Sequence, residues 1–393
     1  TSPPKKEKPA LVLDRLTQAL SVSARPLLLV GNGVRAAGAA DLLVSLAERT
    51  GIPVVHSILG LDVLPSGHPL SFGMIGTYGN RWANLAVGRS DCILVIGSRL
   101  DIRQTGADTT AWKGKRTVFH VDCRAEEINS RIPDCEPIVA DISDFLSQAL
   151  NVLPDTRETA ERGWLREIQD LRKRWPDTEE LTDVRGIHPN VFMHALSSCA
   201  NDASAYVADV GQHQMWAAQS LERKAGQRFL TTGGMGAMGF ALPAAIGVAL
   251  VSRPHPVVAI AGDGGFQLNI QELQTVVRNH LPIKIIIINN HCYGMVRQFQ
   301  ESYFAGRYQS TVWGYSAPDF TRIASAYGIP ARTIAEPKEV QGALQWLWQD
   351  PQEPCLLQVM VDSRLNAFPK IAFGRPMTDM EPLFRPLELE EGA

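Results

Sequence analysis

Asp263 and Asn290 are the two side chains whose types and setting point most directly to chemistry. Asp263 lies in Gly262-Asp263-Gly264-Gly265, directly after the apolar run Val257 to Ala261, and Asn290 follows Asn289 at the end of a second run, Ile283 to Ile288. Both runs read as buried parallel strands. Both polar residues therefore fall at strand C-termini, where open α/β sheets bind ligands. A carboxylate and an amide oxygen side by side are hard oxygen ligands suited to Mg²⁺, which also bridges to phosphate oxygens. The Gly-rich turn, with a helix expected to open at Phe266, offers main-chain N–H groups to such a phosphate. Either half alone is an ordinary turn or loop. The pairing carries the signal.

The elements that must position this pair form an α/β alternation. Pro26 to Val30 reads as a buried strand ending in Gly31-Asn32-Gly33, with a helical stretch from Arg35 to Arg49 behind it. Short strands are expected at Val54-Val55, Cys92 to Ile96, Val118 to Val121 and Ile138-Val139, alternating with helix-like segments. A second series is expected at Tyr206 to Ala208, Phe229-Leu230, Val257 to Ala261, Ile283 to Ile288 and Cys355 to Val361, with helices over 238–251, 268–280, 317–327 and 337–349. The fold class is α/β, with two doubly wound parallel-sheet domains, a central one over 26–153 and a C-terminal one over 187–362. A charged, Pro-rich linker is expected over 1–25, a helical connector over 154–186 and an irregular flap over 363–393.

Composition excludes several classes. The 393 residues are 45% hydrophobic and 20% charged, a globular balance. A net charge of −3 lacks the basic excess that nucleic-acid binding needs. No apolar run approaches the ~20 residues of a membrane span. Six scattered cysteines without C-x-x-C spacing suit a reducing, cytoplasmic setting.

Longer stretches carry a resemblance. Gly211-Gln212-His213-Gln214-Met215-Trp216, Gly234-Met235-Gly236-Ala237-Met238-Gly239-Phe240, Gly294-Met295-Val296 and Asn366-Ala367-Phe368-Pro369 are similar to the acetohydroxyacid (acetolactate) synthase branch of the thiamin diphosphate enzymes, over about residues 26–382. The spacing of GDG and Asn289-Asn290 resembles that family's cofactor signature. The resemblance implies thiamin diphosphate and Mg²⁺, with Asp263, Asn290 and the main-chain oxygen of Cys292 on the metal. It implies Gln212, His213, Gly264 and Gly265 on the diphosphate, Met295 beside the cofactor, the Gly236 carbonyl on the pyrimidine amino group and Met238 holding the cofactor bent. For the two methionines core packing is the alternative; for His213 it is a helix-start histidine without a ligand. In the first domain, Gly97-Ser98-Arg99-Leu100-Asp101-Ile102-Arg103 is similar to the family's flavin-contacting segment and, with Gly76, implies FAD. Gly31, Gly97, Arg99, Asp101, Asp122 and Asp141 are its expected contacts, a surface ion-pair network being the alternative for Arg99, Asp101 and Arg103. Arg103 is a candidate for holding the acceptor carboxylate or for holding the flavin against it.

What the resemblance implies about function is decarboxylation of pyruvate and transfer of the two-carbon unit to a second carbonyl substrate, a second pyruvate giving acetolactate, in a homodimer or tetramer. A carboligase with an aldehyde or keto-sugar acceptor, and a non-catalytic cofactor-binding remnant, are the rivals. Three departures bear on the choice. The family's N-terminal domain, which supplies a glutamate to the aminopyrimidine, has no counterpart here; Phe299 stands where the family has a tryptophan that shapes the acceptor pocket; and Thr77-Tyr78 replace Met-His. The absent domain is an expected partner, in the same polypeptide or as a separate chain.

Overall fold

The first series of apolar runs pairs into a six-stranded sheet, and the second into another. A computed structural model describes residues 9–156, 162–200 and 202–382. In the first unit, β1 (Pro26–Val30), β2 (Val54–His56), β3 (Ser71–Met74), β4 (Cys92–Ile96), β5 (Thr117–Asp122) and β6 (Glu136–Val139) run parallel in the order β3-β2-β1-β4-β5-β6. The chain winds one way from β1 and the other way from β4, so the crevice at the C-terminal ends of these two neighbours is the switch point where such sheets take ligands. Alternation along the strands fills both faces. Leu28, Val30, Leu94 and Ile96 pack with Leu43, Leu46, Phe145 and Leu146 on one side. Leu27, Leu29, Ile93 and Val95 pack with Leu85, Ala86, Ile168 and Leu171 on the other.

In the second unit β7 (Ala205–Ala208), β8 (Arg228–Thr231), β9 (Val257–Gly262), β10 (Ile283–Asn289), β11 (Ala331–Ile334) and β12 (Cys355–Met360) are also parallel, in the order β11-β12-β10-β9-β7-β8. The switch point here lies between β7 and β9. The register sets Ile288 opposite Gly262. Asp263 and Asn290 therefore leave the sheet at adjoining strand ends. Helix Ala241–Ser252 covers one face through Ala241, Ala245 and Ala249, small residues that let its backbone approach Ala205, Val207, Ala259 and Ala261. No helix among the described residues is long and apolar enough to cross a membrane.

Several segments differ from the sequence reading. Residues 1–8 of the expected linker lie outside the described residues, but Pro9–Val22 form a helix with Val12, Leu13 and Leu16 buried in the first core. The prolines and lysines of the opening conceal that apolar stripe. The expected connector's helix is described over Arg162–Arg174, with Trp164, Ile168 and Leu171 in the first unit's core, and residues 157–161 lie outside the described residues. The tail divides. Residues up to Ala367 belong to the second unit, whereas Phe368 onward returns to the first, where Lys370–Ile371 and Met380–Glu381 pair antiparallel and bury Ile371 and Met380; residues 383–393 lie outside the described residues. The stretch from Arg35 to Arg49 breaks at Gly38, whose φ of +65° ends Asn32–Ala36 before Ala40–Thr50 begins. The second helix over 268–280 opens as a 3₁₀ turn, Gln267–Glu272, and becomes α-helical at Leu273–Arg278.

Candidate cofactor site

The diphosphate-type site is built at the ends of β7, β9 and β10. The helix expected from Phe266 opens at Asp263 instead, immediately after β9, so Asp263 and the two glycines form its first turn. Asp263 is buried, and its Oδ2 accepts the Tyr315 hydroxyl at 2.9 Å. Burial pushes its carboxyl up to about 6, against the opposing pull of the Tyr315 and Gly264 hydrogen bonds. Tyr315 packs edge-on against Tyr293 at 4.7 Å. Tyr293 covers the turn so closely that a Cβ at Gly264 would lie 2.3 Å from its ring. A Cβ at Gly265 would lie 2.9 Å from an oxygen of Asp209. A side chain at either position would have to displace Tyr293 or Asp209 from that space.

Asn290 is buried beside Gln212, whose Oε1 accepts its Nδ2 at 3.1 Å. Its own oxygen accepts the Cys292 main-chain N–H at 3.3 Å. The Cys292 carbonyl accepts the Gly294 N–H at 3.0 Å, leaving it one further lone pair. Burial pushes the Cys292 thiol up to about 11, so sulfur stays protonated and the main-chain oxygen is the group this residue can offer a hard cation. Among the described residues no three His, Cys, Asp or Glu side chains converge on a metal position. One carboxylate with amide and main-chain oxygens is a donor set for a cation that takes its remaining oxygens from a bound phosphate.

His213 stands at the switch point itself. A Cβ at Gly211 would lie 2.8 Å from its ring and one at Gly262 2.9 Å from it, which places the imidazole across the ends of β7 and β9. Burial pulls it down to about 4 against the nearby Asp209 charge, so it is neutral at neutral pH. Its Nε2 is buried with no hydrogen-bond partner among the described residues, and with the neutral ring's proton on that nitrogen it is a donor for an anionic oxygen. An orphaned polar atom in a ring of strand ends is costly to a fold unless a ligand meets it. With the Asp263 and Asn290 oxygens, it makes the residues present a fit for a diphosphate and its cation.

The segment containing Gly236 and Met238 is held by a residue the sequence reading passed over. Asp209, at the end of β7, accepts the main-chain N–H groups of Val210, Gly239 and Ala241 at 2.7, 3.0 and 3.0 Å. Asn269 donates to the Gly239 carbonyl at 2.7 Å. Met238 is 36% exposed and Met295 half-buried. Neither is among the buried core residues. Phe299 is 52% exposed on helix Gly294–Tyr303 and packs against Tyr303 with tilted rings 4.7 Å apart. An acidic residue closing a strand marked Asp209 in the sequence. Tyr315 carried no such mark, since only the tertiary fold brings it to Asp263.

In the first unit Gly31 and Gly97 meet at the switch point. A Cβ on Gly31 would lie 2.3 Å from the Gly97 carbonyl oxygen, and the Gly31 N–H donates to the carbonyl of Ile96 at 3.0 Å. Gly97 itself has φ +62°. Gly76, at φ +112°, abuts the Arg103 carbonyl, which also accepts the Thr77 N–H at 2.7 Å. Asp122 ends β5 and Asp141 follows β6, so these residues share one sheet edge. The charged ones have structural work there. Asp101 caps helix Ile102–Thr105, Asp141 caps Ile142–Val152, and Arg99 lies 3.7 Å from Asp101.

Comparison with known proteins agrees with both units. The family model for the thiamine pyrophosphate enzyme central domain matches residues 13–149, and that for the C-terminal TPP binding domain matches residues 209–359. The acetolactate synthase large subunit of Lactococcus lactis is 35% identical over 368 residues, covering 94% of this chain and 63% of that protein. That of Pyropia yezoensis is 36% identical over 369 residues, covering 93% of this chain and 61% of its own length. The chain thus spans somewhat less than two thirds of the length of these curated relatives. Two matched domains in series, each coinciding with one parallel sheet, establish that the chain belongs to the thiamine pyrophosphate enzymes.

Proposed function

We propose that the chain carries the cofactor-binding and flavin-binding parts of a thiamin diphosphate-dependent decarboxylating carboligase that joins two pyruvates to acetolactate and CO₂. The observation that carries the reading is the juxtaposition of Asp263, Asn290 and the unpartnered Nε2 of His213 at one set of strand ends. The acetolactate synthase relatives support the choice of substrate. Asp263, Asn290 and the Cys292 carbonyl would hold Mg²⁺, and His213 with the main-chain N–H of Gln212 would meet the diphosphate. The Gln212 amide itself is committed elsewhere, to Asn290, Gln298 and Leu365. Asp209 fixes the Gly239–Ala241 end of the segment that follows Gly236, whose carbonyl would receive the pyrimidine amino group. When bound, the cofactor supplies a sink for the electron pair released as a 2-oxo acid loses CO₂. The protein's part is to orient, to exclude water and to hold charge. Product analysis after incubation with pyruvate tests the reading. Acetolactate supports it, whereas acetaldehyde alone, or product only with an added aldehyde or sugar, would replace it with one of the rival carboligase readings.

We further propose FAD at the β1/β4 switch point, lined by Gly31, Gly97 and the Gly76 loop. The assembly is a homodimer or tetramer in the cytoplasm. Joining two pyruvates involves no net redox change, so the flavin stays oxidised through turnover. Purified protein is expected to be yellow and to release flavin absorbance on heating. Colourless protein that also takes up no added FAD would contradict the assignment.

A further inference from the structure

The buried amides of Asn290, Gln212 and Gln298 form a chain that starts on the main chain of Ala367. The Ala367 N–H donates to Gln298 Oε1 at 2.9 Å, and its carbonyl accepts Gln298 Nε2 at 3.0 Å. A main-chain N–H and C=O cannot exchange roles, so the sense of the Gln298 amide is fixed. Gln298 Oε1 also accepts Gln212 Nε2 at 3.2 Å, and the Leu365 carbonyl accepts the same nitrogen at 2.9 Å. Two acceptors on one side force Gln212 to present its NH₂ there. Its Oε1 then faces the next amide and accepts Asn290 Nδ2 at 3.1 Å. The Asn290 nitrogen is thereby turned toward Gln212, and its oxygen is left on the opposite side. All three residues are buried, so reversing any one amide would set acceptor against acceptor where no water can compensate.

We propose that Gln298 and Gln212 are positioning residues for the cation. They pass the fixed polarity of the 365–367 segment to Asn290, so that its oxygen and not its nitrogen is offered to the metal. The inference rests on the reading of Asn290 as a ligand. Neither glutamine touches the metal; each acts through the next amide, in the manner of outer partners that orient metal ligands and cost about 10–100-fold in affinity when lost.

The test is Mn²⁺ affinity of the whole chain in the presence of thiamin diphosphate, read from the electron paramagnetic signal of free Mn²⁺, with thermal unfolding as the check on folding. Gln298→Met, which keeps length and removes polarity, is expected to weaken Mn²⁺ binding about tenfold or more. Combined with Asn290→Ala it should add nothing to the loss of Asn290→Ala alone, since both remove one interaction. Should Gln298→Met fail to fold, Gln212→Met removes the acceptor for Asn290 Nδ2 and carries the same pair of expectations. Unchanged affinity in the folded glutamine variant, or a loss that adds in full to that of Asn290→Ala, overturns the inference. If Asn290→Ala itself binds Mn²⁺ like the parent, the ligand reading beneath it has failed instead.

Discussion

Asp263→Asn is expected to weaken divalent-cation binding about 10²–10⁴-fold while making the cofactor-free chain more stable. The loss follows from removing the single carboxylate of the proposed site, since deleting one partner of a buried charge pair costs about 3–5 kcal/mol. The gain follows from burial. The folded chain holds the Asp263 proton more tightly than an unfolded chain does, its carboxyl being pushed from 3.8 up to about 6. Between those values folding takes up a proton, so stability falls as pH rises through the window. The penalty is absent below about pH 4 and complete above about pH 6, on the order of 2–3 kcal/mol at pH 7. Asparagine carries no such penalty and can still accept the Tyr315 hydroxyl. Denaturant unfolding of parent and variant without metal should therefore differ at pH 7 and converge at pH 4. A variant less stable than the parent at pH 7 would contradict the electrostatic account, and one that binds Mn²⁺ as the parent does would contradict the site.

Pyruvate turnover by the 393-residue chain alone is expected to be low and to rise about 10²–10⁴-fold when a pyrimidine-binding domain of this family is supplied, the range that positioned acid–base assistance provides. The two matched domains are the central and C-terminal ones, and the resemblance assigns the glutamate that activates the cofactor to a third. The glutamates of this chain nearest the cofactor motifs have other commitments. Glu301 pairs with Arg297 at 3.0 Å and accepts Asn366 at 3.1 Å, and Glu272 accepts the Thr275 hydroxyl at 2.7 Å. Release of labelled CO₂ from pyruvate, by the chain alone and after adding that domain in cis or in trans, decides the matter. Full turnover by the chain alone would assign the acid–base role to a residue within it.

The central strands and the polar residues that end them were legible in the sequence, because a buried parallel strand must be continuously apolar and a ligand site at its end must not be. Cys92–Ile96 and Ile283–Asn289 declare themselves in this way. Two of the four edge strands did not. Ser71–Met74 contains serine and glycine, and Ala331–Ile334 exposes Arg332 and Thr333, since an edge strand has water on one side and needs no apolar run. Asp263 and Asn290 could be paired from the sequence because adjacent strands join them. Tyr315 and the three-amide chain could not, because their partners lie from 52 to 153 residues away and meet only through tertiary packing. The Gln212 side chain is the sharpest difference. The resemblance sends it to the diphosphate, and the structure commits all of its donors to other protein groups.

Calorimetric titration of thiamin diphosphate into the unmodified chain, once with Mg²⁺ and once with EDTA, addresses the central claim directly, namely that the cofactor is held through a cation between Asp263 and Asn290. Saturable binding of one cofactor per chain is predicted with Mg²⁺, and its loss with EDTA. Equal affinity under both conditions would show that the diphosphate is held by the protein without the metal, and would contradict the account.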